Sequence, residues 1–235
     1  MSDSALFKQV AEIVDTGDWE LGARHGGTGG VGKLLEDLLD VDGSNTDIPD
    51  TGSWELKTHT GRNNLLTLFH KTGQPNMSVI LSSPYAYHPK SDPTKPLSYR
   101  NTIYGNTPNS HGFYAEPSHS NTKITLFNIN DSTPTDYCAW DTNELCSAFG
   151  RKLSRLILVT AHKKGSMVTF TDAWAYNNPR LLSLPKLITE GTIAIDLDAR
   201  YKTLEGTGIR DHGTKFRISI KDLPSLYNNC VRIAP

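Results

Sequence analysis

Three features of this 235-residue sequence predict an α/β fold. Apolar residues recur at helical spacing in stretches 4–15 and 31–40, and a capped helix signal opens at Asp141 and runs to about 155. Between these helices lie short runs of β type, at 54–57, 65–71, 77–81, 123–129, 137–140, 167–175 and 193–197. Residues 155–160, Arg-Leu-Ile-Leu-Val-Thr, are a continuous apolar run of the kind found in the centre of a sheet. The length suits one domain with room for two lobes.

Composition narrows the class. With 24 Lys and Arg against 25 Asp and Glu, the net charge is −1, far from the basic excess of proteins that coat nucleic acid. An enzyme that reads a sequence stays compatible, because acidic residues elsewhere can offset a local basic groove. No run of about 18 apolar residues exists, so no transmembrane span is expected. The N-terminus, Met-Ser-Asp-Ser-Ala-Leu-Phe-Lys, lacks the basic and apolar blocks of a secretory signal. Cys138, Cys146 and Cys230 are too scattered for a disulfide framework or a Cys-x-x-Cys zinc site, and Cys138 and Cys146 read as ordinary buried residues. The expected compartment is a reducing cytoplasm.

The first helix, 4–15, has a cap at Ser4, apolar Leu6, Val10, Ile13 and Val14, and a stop at Gly17. Next comes Gly-Gly-Thr-Gly-Gly-Val-Gly-Lys at 26–33, which from Gly27 nearly spells the phosphate-cradling P-loop. Leu34 stands where that loop needs a hydroxyl, and no apolar strand precedes it. A plain Gly-rich turn is one alternative; a loop that lets amides at a helix N-terminus approach the phosphate of another ligand is a further one. The following helix, about 31–40, carries the apolar stripe Val31, Leu34, Leu35, Leu38 and Leu39, with Glu36 at its border.

The chemistry is concentrated at 48–57, Ile-Pro-Asp-Thr-Gly-Ser-Trp-Glu-Leu-Lys. In a strand, Glu55 and Lys57 share one face while Trp54 and Leu56 share the other. A turn through Pro49 and Gly52 would return Asp50 to the start of that strand. Two carboxylates and an ammonium would then converge, with Glu36 available as a third acid. Carboxylates are the hard oxygen ligands that Mg²⁺ takes, and a lysine beside them can orient or activate a water, or stabilise charge on a phosphate. That combination suits metal-assisted phosphodiester hydrolysis. The same string on a solvated strand would give nothing more than a cross-face salt bridge.

Further along, 65–71 (Leu-Leu-Thr-Leu-Phe-His-Lys) reads as a strand ending in His70 and Lys71, and 77–81 as another. Residues 82–122, rich in Ser, Pro, Tyr, Asn and His, read as a long loop: either a surface excursion or an arm around a duplex, with Tyr85, Tyr87, His88, Lys90, Tyr99 and Arg100 as contacts. A helix interrupted at Pro185 is expected within 178–190. The block 206–218 joins a Gly-rich loop to Arg210, Asp211 and His212 and then a strand with Lys215 and Arg217 on one face, Phe216 and Ile218 on the other. An arginine on a rigid strand can bind guanine O6 and N7 bidentately; the alternative is an edge strand protected by its charges.

Three ordered blocks carry a family resemblance: Gly-Gly-Val-Gly-Lys-Leu-Leu-Glu-Asp-Leu-Leu, Pro-Asp-x4-Glu-Leu-Lys-Thr, and Leu-Leu-Thr-Leu-Phe-His-Lys. Together they resemble the MvaI/BcnI family of monomeric Type II restriction endonucleases, which is similar to the mismatch-repair nicking enzyme MutH. The resemblance implies a PD-(D/E)xK mixed sheet flanked by helices, with two lobes around a DNA-binding cleft. A catalytic lobe would span about 1–80 with part of 122–175, and recognition elements about 82–122 and 195–220. Asp50 and Glu55, with the Leu56 carbonyl, would bind Mg²⁺, Mn²⁺ substituting. Lys57 would position or activate the attacking water, and Glu36 would hold a second metal or a metal-bound water. Arg62, His70, Lys71, Arg210, Lys215 and Arg217 would contact DNA, with Asp211 and His212 supporting their loop.

The implied partner is double-stranded DNA at a short GC-rich pseudopalindrome of CC-N-GG type, cut one strand per binding event by a monomer. No membrane is involved, and a companion DNA methyltransferase is expected in the host without direct contact. The sequence departs from its relatives at Lys215 and around Asp198, which leaves the exact target open. A MutH-like nicking enzyme and a P-loop nucleotide-binding protein are the two alternative functions.

Overall fold

The computed structural model describes residues 2–27, 29–41, 49–51, 53–61, 65–90, 92–133, 135 and 137–235. The Arg62 expectation, and Ile48 and Gly52 of the motif turn, lie outside the described residues. The architecture is α/β, with sheets flanked by few helices, as the sequence predicts. The chain forms two compact units, one of 1–66, 149–180 and 223–235, the other of 67–148 and 181–222.

The first unit is built on a mixed sheet. Helix α1 (Asp3–Thr16) is capped by the Ser2 hydroxyl, which accepts from the Ala5 N–H at 3.3 Å, and ends at Gly17 with φ 97°. Helix α2 spans Gly30–Leu38. Strands β1 (Asp18–Glu20), β2 (Glu55–His59), β8 (Arg155–Lys164), β9 (Met167–Pro179) and β13 (Tyr227–Ala234) form the sheet in the order β1-β9-β8-β2, with β13 also on β9. β2 runs parallel to β8 with Glu55 opposite Leu156 and Lys57 opposite Leu158, and the other pairs are antiparallel. The apolar run at 155–160 thus has a strand on each side. The apolar stripes of α1 and α2 meet Trp54, Leu56, Ile157, Val159 and Phe170 in one core.

Trp54 ties the start of β2 to that core. Its Nε1–H donates to Asp3 Oδ1 at 3.0 Å, the Arg155 guanidinium lies 4.2 Å over its ring, and Arg155 also ion-pairs with Asp3. A large-to-small change at such a side chain costs about 3–5 kcal/mol.

The second unit holds β4 (Ser98–Ile103), β10 (Ile193–Tyr201), β11 (Ile209–Asp211) and β12 (Lys215–Ser219), with β3 (Leu65–His70) next to β12. A separate meander joins β5 (Phe113–Pro117), β6 (Lys123–Asn128) and β7 (Cys138–Asp141). β10 pairs with β12 over 193–196 and with β11 over 199–201, and its other edge takes β4 over 195–200. Aromatic contacts fill the core: Phe69 stacks on Phe216 at 4.9 Å, and Phe113 packs edge-on against Tyr85, Tyr99 and Tyr137.

Several sequence expectations change here. Residues 77–81 hold a short helix, α3 (Ser78–Leu81), and no strand, because Asn76 caps the Ser78 N–H at 2.9 Å and the buried Met77, Ile80 and Leu81 follow helical spacing. The polar stretch 82–122 contains β4 and β5: Tyr99 and Ile103 face the core while the intervening positions stay polar. Pro185 begins helix α5 (Leu184–Thr189) instead of interrupting one, as the first turn needs no N–H there. β12 lies between β10 and β3, so it is no edge strand. Cys138 is buried, whereas Cys146 is half-buried with its Sγ on the Leu181 carbonyl. β1 and β13 were not anticipated: the first is three residues long and the second carries a polar, exposed middle.

Candidate active site

Glu55 opens β2 with its side chain 3% exposed, and Lys57, two residues on, has Nζ 2.9 Å from Glu55 Oε1. The shared face expected from strand periodicity is therefore realised. Trp54 and Leu56, on the opposite face, are buried in the core and fix the strand's rotation. Asp50 sits in the turn ahead of the strand. Its Oδ2 accepts from the Leu56 N–H at 2.9 Å, and that turn is closed by Thr51, whose N–H donates to the Trp54 carbonyl and whose hydroxyl accepts from the Trp54 N–H. Glu36 lies on α2, half-buried, with Lys33 Nζ at 3.5 Å.

The electrostatics tie these acids together. Burial pushes the Glu55 carboxyl up; Lys57 and Lys152 oppose the rise, and the Asp50 charge adds to it. Glu36 is pushed up first by burial and then by the charge of Asp50, with Lys33 opposing. The charge of Asp50 thus acts on both Glu36 and Glu55 within the first unit. Lys152, near the end of helix α4 (Thr142–Leu153), places its ammonium 3.7 Å from Glu55 Oε1. Nothing in the sequence flagged Lys152, because its proximity is created by the packing of a distant helix.

A divalent cation fits this donor set. Glu55 Oε2 is buried and has no hydrogen-bond partner among the described residues, a costly state for a carboxylate oxygen unless a cation meets it. Among the described residues no three His, Cys, Asp or Glu side chains form a closed metal cage.

The Gly-rich loop is anchored beside α2. His25 Nε2 lies 2.7 Å from Asp37 Oδ2, its Nδ1 accepts from the Gly22 N–H at 2.9 Å, and Arg24 also bonds Asp37. Helix α2 already begins at Gly30, where an added Cβ would stand 1.9 Å from the His25 carbonyl oxygen. Lys33 pairs with Glu36 and, at 3.8 Å, with Asp37. The strand leading into a P-loop is missing too, since 21–26 is irregular. Of these glycines, Gly30 is the one packed against His25, while an added Cβ at Gly26, Gly27 or Gly29 would meet open space.

Arg62 aside, the residues expected at DNA lie in the second unit. Asp196 and Asp198 of β10 project toward cations on both neighbouring strands: Arg217 Nη1 is 3.2 Å from Asp196, Lys215 Nζ is 3.6 Å from Asp198, and Arg100 Nη2 of β4 is 3.2 Å from Asp198. Thr102 donates to Asp196 at 3.0 Å. Arg210 and His212 line a cavity of about 390 Å³ with Tyr87, Lys95, Arg100 and Arg200. The His212 N–H donates to the Asp198 carbonyl, and Asp211 Oδ1 accepts from the Gly213 N–H at 2.8 Å, which holds the loop. His70 ends β3 exposed, beside Gly213. Lys71 pairs with Glu144 at 2.7 Å. Asp196 was missed in the sequence, although its alternation with buried Ile195 and Leu197 was the available signal.

Sheets flanked by few helices, with Asp50, Glu55 and Lys57 brought together at the start of β2, give the architecture of a restriction endonuclease. The chain belongs to the MvaI/BcnI restriction endonuclease family, whose model matches residues 9–227. Among solved structures it is similar to restriction endonuclease MvaI in complex with its cognate DNA substrate, with TM-score 0.81, 25% identity and 99% of each chain covered. It also resembles MvaI in the absence of DNA, with TM-score 0.59, 23% identity, and 99% of this chain and 98% of that one covered. No curated protein matches the sequence.

Proposed function

We propose that this chain is a Type II restriction endonuclease that hydrolyses double-stranded DNA at a short GC-rich pseudopalindrome of CC-N-GG type, acting as a monomer and cutting one strand per binding event. The observation that carries the reading is the convergence on one strand of Asp50, tethered to the Leu56 N–H, with Glu55 and Lys57 joined at 2.9 Å. Family membership and the likeness to the DNA complex of MvaI support it.

In this reading Asp50, Glu55 and the Leu56 carbonyl hold a divalent cation, Mg²⁺ or Mn²⁺, which when bound supplies charge that polarises the scissile phosphate. Lys57 positions and activates the attacking water, and Glu36 adds a third carboxylate to the same cluster. A P–O bond forms to that water as the bond to the 3′ oxygen breaks. Arg210, Lys215 and Arg217 contact DNA, with Asp211 and His212 shaping their loop and His70 and Lys71 at its flank. Arg217 is oriented by Asp196 and Lys215 by Asp198.

Digestion of supercoiled plasmid with Mg²⁺, with fragment ends sequenced and Asp50→Ala alongside, tests the proposal. Discrete ends sharing one short motif, absent in the variant, are expected. Nicking that never proceeds to linear product without a partner protein would favour a MutH-like repair enzyme instead. Cleavage untouched by the substitution would remove Asp50 from the site.

A further inference from the structure

Cross-strand register sets two arginines face to face in the second unit. Arg200 of β10 lies directly opposite Arg210 of β11, and both line the cavity of about 390 Å³, so their side chains share one face of the sheet. Directly opposed residues of an antiparallel pair hold their Cβ atoms about 4.5–5.5 Å apart, and like charges placed so destabilise the pair. The neighbouring row shows the ordinary arrangement, with Asp198 of β10 opposite Arg100 of β4 and paired with it at 3.2 Å. On that same edge Arg200 is opposite Ser98, which brings no charge. Among the described residues no acid pairs with either Arg200 or Arg210. Glu205, the one acid of the connecting loop 202–208, is bonded to Thr203 and to its own backbone. Among the described residues that line the cavity, Asp198 is the single carboxylate, and it is shared by Arg100 and Lys215. Two facing guanidiniums are relieved by an anion that bridges them. A base edge offers only partial charges, whereas a phosphodiester brings a full negative charge and two free oxygens, one for each fork.

We propose that Arg200 and Arg210 form a clamp for one backbone phosphate of DNA, a contact that positions the duplex without reading its sequence. The inference rests on the DNA-cleaving reading above. It adds Arg200, which no motif singles out, and gives Arg210 a phosphate as its partner in place of a base.

The test titrates the full chain with a duplex carrying the site mapped from plasmid ends and with a scrambled duplex, Ca²⁺ replacing Mg²⁺ so that the substrate stays intact. The readout is the slope of log affinity against log salt between about 50 and about 200 mM. Arg200→Ala combined with Arg210→Ala should flatten that slope by about 0.9 on both duplexes, so the loss of affinity across the range shrinks by about 3.5-fold. Arg200→Lys combined with Arg210→Lys keeps both charges and should keep the wild-type slope. Without DNA, Arg200→Gln should melt above wild type at low salt and lose that advantage as salt rises, because one of two facing charges is gone. An Arg200→Gln variant that melts no higher, an unchanged slope in the double alanine variant, or flattening confined to the cognate duplex overturns the clamp. Failure of the wild-type chain to bind either duplex overturns the DNA-cleaving reading itself. In that event, inorganic phosphate that raises the melting temperature of wild type, and leaves the double alanine variant unmoved, would still place a phosphate between the two arginines; no rise would remove the clamp as well.

Discussion

Asp50 Oδ2 is fastened to the backbone N–H of Leu56 at 2.9 Å, so the loop carboxylate is positioned by the very strand that carries Glu55 and Lys57. This one bond gives Asp50 a structural role that is separable from the metal-ligand role proposed for it. Asp50→Ala should abolish Mg²⁺-dependent cleavage and lower unfolding free energy by about 1 kcal/mol, the usual worth of such a bond. Asp50→Asn keeps an acceptor for Leu56 and should recover most of the stability with none of the activity. Urea denaturation beside the plasmid assay checks both; robust cleavage by the Asn variant would sink the metal-ligand role.

Gly30 gives a prediction whose sign runs against propensity. Replacing a helical glycine by alanine normally stabilises by about 0.5–1 kcal/mol. Here the new Cβ would stand 1.9 Å from the His25 carbonyl oxygen, so the start of α2 must move. Gly30→Ala should therefore lower the melting temperature and, because Glu36 rides on the same helix, reduce cleavage as well. A variant as stable and active as wild type would show that the His25 carbonyl yields freely.

Much of this was legible in the sequence, and the pattern of what was not has a physical basis. Strand periodicity placed Glu55 with Lys57 and Trp54 with Leu56, because a side chain's face depends only on local backbone geometry. The apolar stripes of α1 and α2 likewise announced themselves. Lys152 and Asp196 owe their positions to pairing and packing between segments far apart in the chain, which no local pattern records. β4 escaped notice because its only large core-facing side chains are Tyr99 and Ile103, in a strand otherwise of Ser, Arg, Asn and Thr. The Gly-rich loop misled in another way, since Gly27–Lys33 imitates a phosphate loop while the fold uses Gly30 for close packing.

Asp37 should govern the acid limb of stability. Hydrogen bonds from Arg24 and then His25 hold its carboxyl down at about 2, below the ordinary value of 3.8. A depressed carboxylate contributes stability above its unfolded pKa and loses it as pH falls through the folded value. The contribution should be complete above about pH 4 and vanish toward about pH 2. Urea midpoints across that window should fall more steeply for wild type than for Asp37→Asn. Parallel curves would mean that the Arg24 and His25 contacts are screened in solution.

The three thiols should separate by burial. Burial pushes the Cys138 thiol up to about 12 and also raises Cys146 and Cys230, but Cys230 alone is exposed. Iodoacetamide on the native protein at about pH 8 should label Cys230 first and leave Cys138 untouched until the chain unfolds. Early modification of Cys138, read by peptide mass, would indicate that the β6–β7 sheet opens readily.

Arg217 and Lys71 should fail in different ways if the second unit reads DNA. Arg217 sits on β12, 20% exposed, with Nη1 held 3.2 Å from Asp196, and an arginine on a rigid strand is the residue type that contacts guanine. Lys71 lies at the end of β3 in an exposed pair with Glu144, which suits a backbone phosphate. Arg217→Ala should cost about 1–3 kcal/mol of discrimination, lowering kcat/KM on the cognate duplex by about 5- to 150-fold while leaving binding to unrelated duplex nearly intact. Lys71→Ala should weaken cognate and unrelated duplexes alike and reduce the salt slope by about one unit. Paired titrations on a cognate and a scrambled duplex distinguish the two patterns. Should Arg217→Ala weaken both duplexes equally, the base-reading role would pass to another cation of the same sheet, with Lys215 beside Asp198 the next to substitute.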